Sequence, residues 1–130
     1  MSIIKEFLQQ SNWAVIGVSS DPNKYGYKVY KKLKSNGYNV FPINPKVVDI
    51  EGDHCYPNLK DLPIIPDAIN TVVPPSVTEQ VVKECTDLGI KRIWMQPGSE
   101  NNQAINYAEH NCIQVVHNEC ILIAIDKAAH

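Results

Sequence analysis

Two short stretches of the chain gather residue types that could hold a charged small molecule. The first is Gly17-Val18-Ser19-Ser20, followed closely by Lys24 and Tyr25. Glycine lets backbone approach a ligand, serines offer hydroxyl donors, and free N–H groups at a following helix start favour an anion. That is phosphate-binding chemistry. A tight turn alone would also use Gly17, but Ser19, Ser20 and Lys24 beside it argue for a ligand. The pattern departs from the common nucleotide loops. After Gly17 the next glycine is Gly26, so G-x-G-x-x-G is absent, and G-x-x-x-x-G-K-[ST] does not occur either.

The second stretch, Asn44-Pro45-Lys46, follows another apolar segment. NAD sites place an acidic residue at such a point to bind the ribose hydroxyls. Lysine there would instead attract an extra ribose phosphate. NADP carries one at the 2′ position and coenzyme A at the 3′ position. Lys24, Lys28, Lys31, Lys32 and Lys34 add local positive charge, although lysines on a helix also serve simply as its solvated face.

These residues need a scaffold, and glycine, proline and asparagine divide the chain into alternating pieces. Apolar runs predict strands at 13–18, 38–44, 68–73, 92–96 and 113–116. Between them, Tyr25, Val29, Tyr30 and Leu33 recur at helical spacing up to Asn36-Gly37. Ser76 with Glu79 reads as a capping box opening a helix whose inner face is Val77, Val81, Val82, Cys85 and Leu88. Residues 101–110 form the next helix, and Asn118 caps a last one running to about Ala128. Residues 2–10 read as a short helix on the sheet edge, and 46–66 as a loop with one short helix near Pro57–Leu62. Strands alternating with helices imply parallel βαβ units. The expectation is a single α/β domain over 1–130, a Rossmann-like doubly wound sheet of about five parallel strands in three layers. Ligands of such sheets bind at the carboxyl ends of the strands. Gly17–Gly26, Ile43–Lys46, Val73–Ser76 and Met95–Ser99 therefore converge on one crevice.

The chain has 130 residues, 44% hydrophobic and 20% charged, ample for one core. With 12 basic and 14 acidic residues the net charge is −2, so no basic field invites nucleic acid. No apolar stretch is long enough to span a membrane, and the start lacks a secretory signal. The four cysteines have no C-x-x-C pair to suggest zinc or a disulfide framework. A reduced, cytoplasmic protein is expected.

In combination these residues resemble a known family. AVIGVSSDPNKYGYKVYKKLKSNGYNVFPINPK, TVVPPS, RIWMQPGSE and VVHNEC resemble the small stand-alone CoA-binding proteins over about residues 10–125. Their domain is similar to the CoA-binding domain of the succinyl-CoA synthetase α subunit and of ADP-forming acyl-CoA synthetases. The resemblance implies a cofactor, coenzyme A or a short acyl-CoA. Gly17, Ser19, Ser20 and Lys24 would take the pyrophosphate, with Val18 and Tyr25 also at the cofactor, and Asn44, Pro45 and Lys46 would take the adenosine 3′-phosphate end. Val73, Pro74 and Pro75 would line the adenine or pantetheine wall, with Gln96, Pro97, Gly98 and Asn118 farther along the thiol arm.

The synthetases add a second domain with a phosphorylated histidine, whereas this chain ends at His130. No acid–base pair, nucleophile elbow or metal cluster is evident. His54, His110, His117 and His130 lack evident partners, and Cys120, near the start of the last helix, is either a thiol activated by the helix dipole or a small buried residue. The expectation is non-covalent binding without a catalytic centre. Two alternatives stay open. One is an NADP-linked oxidoreductase or its remnant, with Ser99 or Tyr25 as the proton donor. The other is a regulatory subunit that senses CoA or a nucleotide and signals to a protein partner.

Overall fold

Alternation of buried apolar runs with amphipathic segments produces the architecture of the computed structural model, which describes residues 2–128. The chain opens with α1 (Ile3–Leu8), β1 (Asn12–Ile16), α2 (Tyr25–Ser35) and β2 (Asn39–Ile43). A small hairpin of β3 (Asp49–Ile50) and β4 (Asp53–His54) follows, then a 3₁₀ turn at Leu59–Asp61. The second half runs β5 (Ala68–Thr71), α3 (Pro75–Leu88), β6 (Arg92–Met95), α4 (Asn102–His110), β7 (Gln114–Val116) and α5 (Ile121–Ala128). No helix among the described residues is long and apolar enough to cross a membrane.

Five strands form one parallel sheet in the order β2-β1-β5-β6-β7. Counted along this sheet the order is second, first, third, fourth, fifth, the flavodoxin-like doubly wound arrangement. Strand alternation sends Trp13, Val15, Ala68, Trp94 and Val116 to one face, with the buried sides of α1, α2 and α5. Ala14, Ile16, Ile69, Ile93 and Met95 point to the other, with those of α3 and α4. The Rossmann-like α/β expectation of about five parallel strands holds.

Several local expectations need correction. α1 does not sit on the sheet edge. Its Phe7 packs on Trp13 and Trp94, with ring centroids 6.3 and 5.9 Å away, on the strands flanking central β5. α3 begins at Pro75 behind Pro74, and no side chain caps it, so Ser76 is not its N-cap. Proline suits the first helical position because its fixed φ is already helical and its missing N–H would be unbonded there. Val77 is exposed, and Thr78 takes the inward place. Asn118 does not cap α5, which starts at Ile121. β2 tolerates Pro42 because it is an edge strand, and there the Pro42 carbonyl accepts from Tyr56 N–H at 2.9 Å.

The hairpin is the element missing from the sequence reading. Glu51 (φ 48°) and Gly52 (φ 87°) both adopt left-handed backbone at its tip, the requirement of a two-residue type I′ turn. It docks on α2 through polar contacts. Tyr27 Oη donates to Glu51 at 2.9 Å and Lys31 pairs with the same carboxylate at 2.9 Å. Tyr30 and Lys34 both bond Asp53. Lys31 chiefly holds the Glu51 carboxyl below its usual range, and Lys34 does the same for Asp53. Because both carboxyls are depressed in the folded state, their stabilisation is present above about pH 4 and lost as pH falls through their folded values. The double variant Glu51→Gln/Asp53→Asn should therefore melt below the native chain at pH 7, and the gap should narrow as the pH falls below about 4. A gap of constant size across that range would contradict the assignment.

Candidate functional site

Winding reverses between β1 and β5: the chain leaves β1 for α2 on one face and β5 for α3 on the other. A crevice opens at that point beside Gly17, which lies against Val72 and Val73 of its wall. Gly17 has φ +97°, and a Cβ there would lie 2.5 Å from the Val72 carbonyl oxygen and 2.7 Å from Val73 Cγ1. Its N–H donates to Ile43 O at 2.9 Å. From above, Gly26 on α2 presses onto the same residue, and a Cβ on Gly26 would meet Gly17 O at 2.2 Å. Two glycines thus bring the start of α2 directly onto the end of β1. This is the close helix–strand packing that the third glycine provides in dinucleotide sites.

The loop between them shapes itself. Ser19 Oγ accepts from Asp21 N–H at 3.0 Å, Asp21 Oδ1 from Asn23 N–H at 2.9 Å, and Asp21 O from Lys24 N–H at 3.0 Å. A hydroxyl that accepts still has its own proton to donate, so Ser19 keeps a free donor. Lys24 is the N-cap residue of α2 and makes no side-chain cap, which leaves the first-turn N–H groups without a side-chain acceptor. Ser20 is exposed, whereas Val18 is fully buried and offers only its backbone.

At the end of β2, Asn44 works as a brace. Its Nδ2 donates to Val18 O at 2.8 Å and its Oδ1 accepts from Lys46 N–H at 2.9 Å. Pro45 and Lys46 are exposed beside it. The lysines of α2 divide by partner. Lys31, Lys32 and Lys34 are paired with Glu51, Asp126 and Asp53, so the local positive charge expected of them is neutralised. Lys24, Lys28 and Lys46 have no carboxylate partner among the described residues. Lys28 Nζ lies 5.5 Å from the Tyr25 ring centre.

Across the crevice the ends of β5 and β6 carry two hollows that share Val72 and Pro97. One, about 270 Å³, is bounded by Val73, Pro74, Gly98 and Ser99 as well. The other, about 170 Å³, reaches Tyr25, Gln96 and Cys120. Asn118 lines neither hollow. It is exposed after β7 with φ 63°. Beneath the Pro97-Gly98 turn, Ser99 Oγ lies 2.7 Å from both Thr71 Oγ1 and Thr78 Oγ1, with all three residues buried. This hydroxyl cluster ties the turn to β5 and α3, and leaves Ser99 engaged rather than poised as a proton donor. Gln96 Oε1 accepts from Ile121 N–H at 2.8 Å, which caps α5 from a neighbouring strand. Cys120 occupies the position just before that helix rather than its second residue.

Sequence reasoning missed Gly26, Val72 and the Thr71–Thr78–Ser99 cluster. Hydroxyl residues at core positions were the available sign, because buried polar groups need partners. Among the histidines, His54 packs edge-on against Tyr56 at 4.7 Å, and His110 Nδ1 lies 2.8 Å from Asn106 O. His117 is half-buried, and His130 lies outside the described residues. A larger cavity, about 320 Å³, lies elsewhere, between Asn58 and Lys60 and the far end of α3 at Glu84, Asp87 and Leu88.

Fold and crevice together define a doubly wound α/β domain with a glycine-bearing loop at its switch point. Residues 11–126 match the family model described as a CoA binding domain, and the chain belongs to that family. It is similar to the α subunit of the ADP-forming acetate–CoA ligase II of Pyrococcus furiosus, with 36% identity over 88 residues. That match covers 67% of this chain but only 19% of the ligase subunit. It is also 28% identical over 122 residues to the uncharacterized protein YneT of Bacillus subtilis, covering 93% of this chain and 90% of that one. Among solved structures it resembles a hypothetical protein from Pyrococcus horikoshii, with TM-score 0.93 and 29% identity. That likeness covers 98% of this chain and 90% of the other.

Proposed function

We propose that this protein binds coenzyme A, free or carrying a short acyl group, non-covalently in the crevice at the strand ends. One observation carries the reading: the uncapped start of α2 is held against Gly17 at the switch point. N–H groups and the positive end of a helix are thereby presented where a pyrophosphate would lie. The ribose phosphate would meet Lys46 at the end of β2, and the pantetheine arm would cross the Val73-Pro74 wall toward Pro97-Gly98. Membership of the CoA binding domain family supports the choice of coenzyme A over NADP.

Calorimetry tests this reading. Coenzyme A should bind more tightly than dephospho-CoA, NAD or NADP. A charge-assisted contact contributes about 1.5–3 kcal/mol, roughly ten- to a hundredfold in affinity. Lys46→Ala should bring coenzyme A down to the level of dephospho-CoA. Equal affinities of the native chain for the two would remove Lys46 from the site.

A further inference from the structure

The smaller hollow, bounded by Tyr25, Val72, Gln96, Pro97 and Cys120, has mainly apolar walls and about 170 Å³ of space. One polar side chain in its wall is incompletely satisfied. Gln96 is 3% exposed, and its Oε1 accepts from Ile121 N–H at 2.8 Å and from Asn70 Nδ2 at 3.3 Å. A backbone N–H can only donate, so the carbonyl end of the amide must face Ile121 and the NH₂ end must face Cys120. Nε2 donates one N–H to Cys120 Sγ at 3.5 Å, and sulfur is a weak acceptor. The amide's second N–H has no partner among the described residues. A buried donor without an acceptor is costly. The hollow therefore suits a small apolar group that carries one strong acceptor.

We infer that this hollow selects short acyl thioesters over free coenzyme A, with Gln96 Nε2 donating to the thioester carbonyl. The inference rests on the proposed binding of coenzyme A in the crevice. Strand ends lie about 4.8 Å apart, so a ligand with its ribose phosphate at β2 and pyrophosphate at β1 reaches β6 after about 14 Å. From the pyrophosphate at β1 the distance to β6 is about 10 Å, within reach of an extended pantetheine arm, which can bring the sulfur end beside Gln96 and Pro97. A free thiol there brings only another weak acceptor and leaves apolar wall uncovered. An acetyl or similarly short acyl group brings a carbonyl oxygen for the idle N–H and methyl or methylene surface for Val72, Pro97 and the Tyr25 ring. The acyl group stays on coenzyme A throughout, and no bond is made or broken.

Three ligands separate the contributions in calorimetry on the native chain: coenzyme A, acetyl-CoA, and the S-ethyl thioether of coenzyme A, which matches acetyl in size but lacks the carbonyl. Acetyl-CoA should bind roughly tenfold more tightly than coenzyme A, the scale of one hydrogen bond, with the thioether between them. The side-chain NH₂ resonances of Gln96 should shift with acetyl-CoA and stay near their ligand-free positions with the thioether. Equal binding of acetyl-CoA and coenzyme A would overturn the inference and leave the coenzyme A reading standing. A thioether as tight as acetyl-CoA, or Gln96 resonances indifferent to the carbonyl, would overturn the role of the amide. If none of the three ligands binds, the reading on which the inference rests falls with it.

Discussion

Gly26→Ala should destabilise the protein by about 2 kcal/mol and abolish coenzyme A binding at the same time. The new Cβ would sit 2.2 Å from Gly17 O, far inside contact distance, and that oxygen belongs to backbone. Gly17 cannot move aside. Its N–H is bonded to Ile43 O, and its own α-carbon abuts Val72 O. The helix must therefore lift from β1, loosening Val29, Tyr30 and Leu33, all fully buried on its inner face. Overpacking of this kind costs about 1–3 kcal/mol and sometimes more. Alanine's better helix propensity offsets about 1 kcal/mol. A loss on this scale lowers the melting temperature by roughly 5–10 °C in a domain of this size. Gly37→Ala is the control, because a Cβ there meets nothing within 4 Å and only its φ of +88° is penalised. A Gly26→Ala melting temperature equal to that of the native chain would show that α2 does not rest on Gly17 in this way.

Ser19→Val should remove coenzyme A binding for a different reason, leaving stability nearly intact. Ser19 is half-buried in a loop, where its Oγ accepts from Asp21 N–H and its proton is free to reach a phosphate oxygen. Valine deletes both functions and places a stiff, branched side chain where the pyrophosphate would approach. The core under the loop is untouched, so the ligand-free melting temperature should move by no more than the few degrees that a surface change of about 0.5 kcal/mol produces. Lys24→Ala should weaken binding more gently and chiefly at low salt, because an exposed charge attracts phosphate through a screened field. Native affinity in Ser19→Val would place the pyrophosphate elsewhere along the strand ends.

Much of this architecture is legible in the sequence because buried parallel strands are apolar on both faces and stand out as runs. WAVI and AINT are both entirely buried from Trp13 and Ala68 onward. The failures arise where a local pattern met a stronger competitor, either nearby in the sequence or across the fold. Ser76 and Glu79 match a capping box, but Pro74-Pro75 sets the helix start earlier. Thr78, Val81, Val82 and Cys85 carry the true helical period, and Thr78 is hidden from an apolar count because its hydroxyl bonds Ser99. Asn118 has the chemistry of a cap, yet the N-terminus of α5 is bonded by Gln96 from β6, 25 positions away in sequence. The hairpin is concealed by Glu51, an unusual residue for left-handed backbone. Within the crevice, Gly17, Ser19 and Lys24 announce themselves by type and order. Gly26 does so only when its distance to Gly17 is known.

Coenzyme A occupying the crevice at the ends of β1, β2, β5 and β6 is the central claim, and a map of backbone amide shifts on titration tests it most directly. The account predicts the largest movements at Gly17, Ser19, Tyr25, Lys46, Val72, Gln96 and Gly98, with Asn58, Lys60, Glu84, Asp87 and Leu88 at the larger cavity unmoved. Movements confined to that larger cavity, or none at any site with coenzyme A in excess, would contradict it.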